Sequence, residues 1–227
     1  MVSVILLDLD DTLLDFRKAE KIAVRSTLEH FGAPSDEHIL RRYSELNLAQ
    51  WKLLELGRLT RDEVKLRRFV LLINEFGLDI EPAAAARYYE NALSIGHYFI
   101  DGAPELLESL HEKYALYLVS NGTAAVQEGR LKSAGIKKYF KDIFISQYIG
   151  AEKPDRAFFD RCFARIADFK RDETVIVGDS LSSDIKGGKN AGIGTVWFNP
   201  RHEAPGDPTP DYEIHRLCEL EALLEQI

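Results

Sequence analysis

Cysteine is almost absent from this chain of 227 residues, which holds only Cys162 and Cys218. The two are far apart and lack the spacing of a metal site, so they are read as reduced thiols rather than a disulfide, and a reducing compartment fits. A long apolar run is also missing. The N-terminal hydrophobic stretch stops at Asp8, no basic segment precedes it, and nothing approaches the roughly 20 residues needed to cross a bilayer. The expectation is a cytoplasmic protein with no membrane partner. Positive charge is not in excess either. With 29 Lys and Arg against 37 Asp and Glu the net charge is -8, which disfavours a nucleic-acid polymer but leaves small anions open to a locally positive pocket. There is no repeat of fixed period. What is present is ordinary for a soluble globular protein, 45% hydrophobic and 29% charged residues. The length suits one large domain, or a core domain with a smaller insert.

The stretch that stands out is Val4-Ile5-Leu6-Leu7-Asp8-Leu9-Asp10-Asp11-Thr12-Leu13, an apolar run closed by three carboxylates. A continuous run of β-branched residues and leucines reads as a strand buried on both faces, as in a parallel sheet. In open α/β sheets ligands bind at the carboxyl ends of strands, where these acids fall. Two unit charges about 4 Å apart repel by roughly 4 kcal/mol at an effective dielectric of about 20, so the cluster requires a cation. Oxygen-only ligands suit Mg²⁺.

From residue 16 to 98 no strand-like run occurs. Four helical blocks follow one another, with Gly32, Gly57 and Gly77 as stops. Ile39, Tyr43, Leu46, Trp51 and Leu54 form an apolar stripe, Thr60-Arg61-Asp62-Glu63 has capping-box form, and Pro82 stands where a first helical turn tolerates proline. Arg41, Arg42, Arg61, Lys65, Arg67 and Arg68 are interspersed with acids and are read as a solvated helix face. After Asp101-Gly102-Ala103-Pro104 helices and strands alternate, the pattern of right-handed parallel crossovers. Strands are expected over 114–120, 142–146, 174–178 and 194–198, the last taken as the final core strand. Helices are expected over 124–134, 155–166 and 183–191, then a proline-rich loop over 200–210 and a closing helix over 217–224.

Three later segments carry polar residues that a bare scaffold does not need. Ser120-Asn121-Gly122-Thr123 sets a hydroxyl and backbone N–H groups at a helix start, an anion site in form, although Asn-Gly alone is more often a turn. Lys153 precedes Pro154; a lone lysine is usually a surface charge. Gly178-Asp179-Ser180-Leu181-Ser182-Ser183-Asp184 puts one acid at a strand end and another at the next helix start. Helix capping accounts for Asp184 but not for Asp179.

Taken together, the run into Asp8-x-Asp10-x-Thr12, the Ser120 turn, Lys153 and the Gly178-Asp179-x4-Asp184 stretch resemble, in order and spacing, the four motifs of the haloacid dehalogenase superfamily of phosphotransferases. The likeness covers nearly the whole chain. It implies an α/β fold: a Rossmann-like parallel sheet core over residues 1–15 and 99–227, with an all-helical cap over 16–98. It also implies Asp8 as nucleophile and Asp10 as general acid and base. Mg²⁺ would be held by the Asp8 carboxylate, the Asp10 main-chain carbonyl and Asp179, with Asp184 supporting the metal from behind. Ser120, the Asn121 amide and Lys153 would hold the phosphate oxygens. Asp11 is a turn residue and Thr12 steadies the loop. The glycines of Lys186-Gly187-Gly188-Lys189-Asn190-Ala191-Gly192 fit the family as packing residues.

By the same resemblance, an Asp at position 10 favours phosphomonoesters, since true dehalogenases lack it. The cap and the run Asp8-Leu9-Asp10-Asp11-Thr12-Leu13-Leu14-Asp15-Phe16, with Asn47-x3-Trp51 and Thr60-Arg61-Asp62-Glu63, look like the branch of pyrimidine 5′-nucleotidases, so a small phosphorylated metabolite is the expected partner. Two rivals stand beside this. A mutase related to β-phosphoglucomutase, or a sugar-phosphate phosphatase, would use the same two aspartates, and steady phosphate release to water separates hydrolase from mutase. A non-catalytic interaction protein would show no Mg²⁺-dependent turnover. The cap is expected to choose the leaving group; Trp51 and Phe16 are candidates to stack on it, with the cap's own core the preferred place for Trp51, and His97 is taken as an exposed histidine. Oligomeric state is left open.

Overall fold

The computed structural model describes residues 1–227 and divides into two compact units. One holds residues 1–15, 98–124 and 134–227; the other holds 16–97 and 125–133. In the first, six strands form a single parallel sheet: β1 (Val4–Leu7), β2 (Ala115–Ser120), β3 (Asp142–Ile145), β4 (Thr174–Gly178), β5 (Gly194–Phe198) and β6 (Tyr212–Ile214), in the order β3-β2-β1-β4-β5-β6. The all-apolar β1 takes a central place, buried on both faces, because it has no polar side to give to water. Its Leu7 pairs with Leu118 on one side and Val177 on the other. Alternate residues Val4 and Leu6 join Tyr117, Val119, Ile176 and the ring cluster Phe158, Phe159 and Phe163 in one core.

Helices link the strands as parallel pairing requires: α5 (Ala103–Lys113), α6 (Ala124–Ala134), α7 (Ser146–Ile149), α8 (Arg156–Phe163), α9 (Lys186–Ala191) and α10 (Glu219–Leu224). Gly187 and Gly188 are packing residues, since a Cβ would meet the Phe159 ring at 2.6 Å in the first case and Thr195 Cγ2 at 2.5 Å in the second. The helix expected over 183–191 is divided: Leu181–Ile185 winds as a π turn and α9 begins only at Lys186. A strand beyond the expected last one, β6, is a correction. Only Ile214 in it is buried, and pattern cannot flag so short a segment; Asp211 sets its register by accepting from Thr195 N (3.0 Å) and Oγ1 (2.7 Å). Cys162 is buried and Cys218 exposed, both free, and burial pushes the Cys162 thiol up to about 12. No helix is long and apolar enough to cross a membrane.

The helical unit contains α1 (Phe16–His30), α2 (Glu37–Glu55), α3 (Arg61–Phe76) and α4 (Pro82–Ser94). Asp36 caps α2 by accepting from His38 and Ile39 N, the Thr60 and Glu63 capping box is formed at α3, and Pro82 opens α4 with Glu81 as cap. Arg68 departs from the expected solvated face. It is buried, donates to Asn47 Oδ1 (3.0 Å) and lies 4.6 Å over the Tyr89 ring, while Asn47 donates to Glu20 Oε1 (2.6 Å). A buried arginine needs such partners, and they lie on other helices, out of reach of a charge-pattern argument. Trp51 is half-buried with the Arg61 guanidinium 5.8 Å from its ring. Residues 125–133 also group here, outside the 16–98 boundary: Gly129 has no room for a Cβ, which would lie 2.7 Å from Ser94 O, and Arg130 Nε donates to Gly96 O (3.0 Å).

Candidate active site

The register of the sheet brings the acids together. Since Leu7 is level with Leu118 and Val177, the next residue, Asp8, emerges beside the ends of β2 and β4, and its N–H donates to Val177 O (3.0 Å). Beyond it the chain turns back: Leu13 and Leu14 N–H both donate to Leu9 O, and Asp11 adopts a left-handed φ of 57°, which an aspartate tolerates better than most residues. Leu14 bridges to Phe99, and Asp15 N–H donates to Tyr98 O (2.7 Å), so the chain leaves and re-enters this unit at adjacent points.

Lys153, in the loop between α7 and α8, is the hub of the cluster and is no surface charge. At 1% exposure its ammonium donates to Asp8 Oδ1 (2.6 Å), Asp184 Oδ1 (2.7 Å) and Val119 O (3.0 Å). All three of its protons have acceptors. Asn121 meets its main chain twice: Nδ2 donates to Lys153 O (2.7 Å), and Lys153 N donates to Asn121 Oδ1 (2.9 Å). Ser120 is buried, and its hydroxyl accepts from Gly122 N (3.0 Å). Thr12 donates to Asp8 Oδ2 (3.3 Å) and accepts from Asp179 N (3.1 Å), tying β1 to β4. Asp184 Oδ2 accepts from Ser180 N (3.1 Å), and Gly178 must be glycine because a Cβ there would lie 2.3 Å from the Asp184 carboxyl carbon.

Carboxylate oxygens of Asp8, Asp179 and Asp184 all fall within 4.8 Å of one another. One lysine does not balance them. Burial pushes the Asp8 carboxyl up to about 7 against the pull of Lys153, with Asp184 and Asp10 adding to the rise. Burial, then the charges of Asp8, Asp184 and Asp11, likewise hold Asp179 well above the carboxylate range. Burial alone would lower the Lys153 ammonium, but Asp184 and Asp8 overcome it and keep it protonated. Hard-oxygen donors crowded at a strand end, two of them, Asp8 and Asp179, disfavoured as anions, are the donor set that a divalent cation such as Mg²⁺ fits.

Of the residues singled out in the sequence, Asp8, Lys153, Asp179 and Asp184 converge directly. Asp10, half-buried, acts on Asp8 through its charge, and Ser120 and Asn121 border the cluster through β2 and the Lys153 loop. Two relations had no sequence signal: the Lys153 to Asp184 pair, separated by 31 positions, and the double hold of the Asn121 side chain on Lys153.

This strand-end constellation on a parallel sheet agrees with the comparisons to known proteins. The chain belongs to the haloacid dehalogenase-like hydrolases, whose family model matches residues 5–198, and it is an enzyme of that hydrolase class. Among its relatives, a Bacillus subtilis protein named as a candidate HAD-hydrolase, YfnB, is 40% identical over 97% of this chain and 94% of its own. A crystal structure of YfnB bound to magnesium, in which interdomain movement is described, has a TM-score of 0.94 and 39% identity over 98% of both chains. The pyrimidine 5′-nucleotidase PynA of Streptococcus pneumoniae is 38% identical, covering 95% of this chain and 92% of PynA.

Proposed function

We propose that the protein is a Mg²⁺-dependent phosphomonoester hydrolase acting through an aspartyl-phosphate, and that its substrates are pyrimidine nucleoside 5′-monophosphates, modified ones included. The observation that carries the reaction class is the Asp8 carboxylate at the end of β1, held by Lys153 and crowded by Asp179 and Asp184, with a second acid two residues on. The substrate class rests on the likeness to PynA.

Asp8 attacks phosphorus; a bond forms from its carboxylate oxygen while the bond from phosphorus to the leaving oxygen breaks. Asp10 gives its proton to that oxygen. In the second half-reaction Asp10 takes a proton from water, which displaces the aspartate and releases inorganic phosphate. Lys153, Ser120 and the Asn121 amide stabilise the charge on the transferring oxygens. Asp8, the Asp10 main-chain carbonyl and Asp179 would hold Mg²⁺, which when bound supplies the positive charge that neutralises these acids and polarises the phosphoryl group. Asp184 keeps Lys153 and Ser180 in place from behind. The helical unit selects the leaving group, since none of these groups reads a base or sugar.

The test is phosphate release from a panel of nucleoside monophosphates and sugar phosphates, with Mg²⁺ and with chelator, for wild type and Asp8→Asn. Steady Mg²⁺-dependent release, highest with pyrimidine monophosphates and absent from the folded variant, is expected. Turnover by Asp8→Asn, or full activity in chelator, would overturn the mechanism; preference for a sugar phosphate would overturn the substrate class alone.

A further inference from the structure

We infer that Trp197 is a positioning residue for the cation site: its indole N–H fixes the peptide that carries Asp179. The inference rests on the reading of Asp179 as a metal ligand. Trp197 is 2% exposed near the end of β5, in register with Gly178 of β4, and its Nε1 donates to the Asp179 carbonyl at 2.8 Å. The same residue is tied from its other end, where Asp179 N–H donates to Thr12 Oγ1 (3.1 Å). The next N–H, of Ser180, is held by Asp184 (3.1 Å). Side chains from β5, from the turn after β1 and from the π turn thus pin two successive peptides.

The restraint has work to do because the carboxylates of Asp8, Asp179 and Asp184 repel one another within 4.8 Å. A loop free to rotate would relax by turning Asp179 away, and a cation would then have to reverse that movement on binding. Preorganised ligands bind more tightly because less order is lost at the moment of binding, and groups behind metal ligands tune affinity in this way. The neighbours Val196 and Phe198 are apolar and buried without any such bond to make. A phenylalanine at position 197 would fill much of the same space, but only an indole supplies the donor.

The chain has two tryptophans, so Trp51→Phe leaves Trp197 as sole indole reporter. In that background Mg²⁺ should change the Trp197 emission, and an emission unmoved at saturating Mg²⁺ counts against the inference. Calorimetric titration of Mg²⁺ into Trp197→Phe, well below its melting temperature, should give a Kd about 3- to 10-fold weaker than wild type, the effect of one lost hydrogen bond. An unchanged Kd with only a lower melting temperature would make Trp197 a packing residue and overturn the inference. Should the Phe variant not fold, 3-benzothienylalanine at position 197 keeps the ring volume and replaces N–H by sulfur, with the same two outcomes. Wild type that takes up no Mg²⁺ would overturn the metal reading and this inference with it; wild type that binds beside a variant that binds equally overturns the inference alone.

Discussion

The most searching perturbation is a change of pH on the metal-free protein, because it reads the strain of the acid cluster without any substrate. The Asp8 carboxyl has a pKa of about 7 in the folded protein against 3.8 as an ordinary carboxyl. Between those values the folded state binds a proton that the unfolded state has lost, so the stability associated with Asp8 is fully present below 3.8 and is lost as pH rises through about 7. One proton corresponds to about 1.4 kcal/mol per pH unit, and from about pH 5 to pH 8 the loss from Asp8 is about 3 kcal/mol. Asp179, raised in the same direction, adds to it. The surface carboxylates that Lys and Arg hold low, such as Glu37, Glu75 and Glu221, act in the opposite direction but only below their ordinary pKa of 4.5, outside this window. Lys153 stays protonated in both states across it and contributes no slope. Urea unfolding in chelator at a series of pH values, for wild type and Asp8→Asn, measures the effect. Wild type should weaken over the window, the variant should be flatter, and Mg²⁺ should restore wild type most above pH 7. A wild-type stability that rises from pH 5 to 8 in chelator, or an identical slope in the variant, would refute the account.

Three further outcomes follow from particular contacts. Asp10→Asn should slow both formation and hydrolysis of the phosphoenzyme, by roughly 10²- to 10⁴-fold, in rapid-quench single-turnover experiments; slowing of one half-reaction alone would contradict a shared acid and base. Gly178→Ala forces a Cβ to within 2.3 Å of the Asp184 carboxyl carbon, and Asp184 is anchored to Lys153 and Ser180, so a loss of about 3 kcal/mol is expected in denaturant melts together with lost phosphate release. Wild-type stability would show that Asp184 can move aside. Arg68→Met removes the donor to the buried Asn47 Oδ1 and a positive charge that acts on the buried Glu20, and should cost about 3 kcal/mol, whereas a neutral result in a thermal melt would show that the arginine is replaced without cost.

Local pattern determined a great deal of this protein. The unbroken apolar run Val4–Leu7 can only be central in a sheet, Thr60 with Glu63 can only begin a helix, and the acids following β1 had to fall at a strand end, because each of these follows from interactions within a few residues. Fold class and the candidate chemistry were therefore legible in the order of residues along the chain. What tertiary structure alone decided is whatever depends on two segments meeting. Arg68 reads as one more surface arginine until other helices enclose it; β6 is three unremarkable residues until β5 supplies the ladder; and the boundary at residue 98 omits 125–133, whose Gly129 is small for the sake of Ser94. The site divides in the same way. Strand-end acids pointed to Asp8 and Asp179 and only the family resemblance named Lys153, but that one ammonium is shared between Asp8 and Asp184, and that the Asp179 peptide is held by Thr12 on one side and Trp197 on the other, is settled by the parallel register that aligns the ends of β1, β4 and β5. A hydrogen bond between residues 167 positions apart leaves no periodicity in either segment, so only the folded chain can hold it.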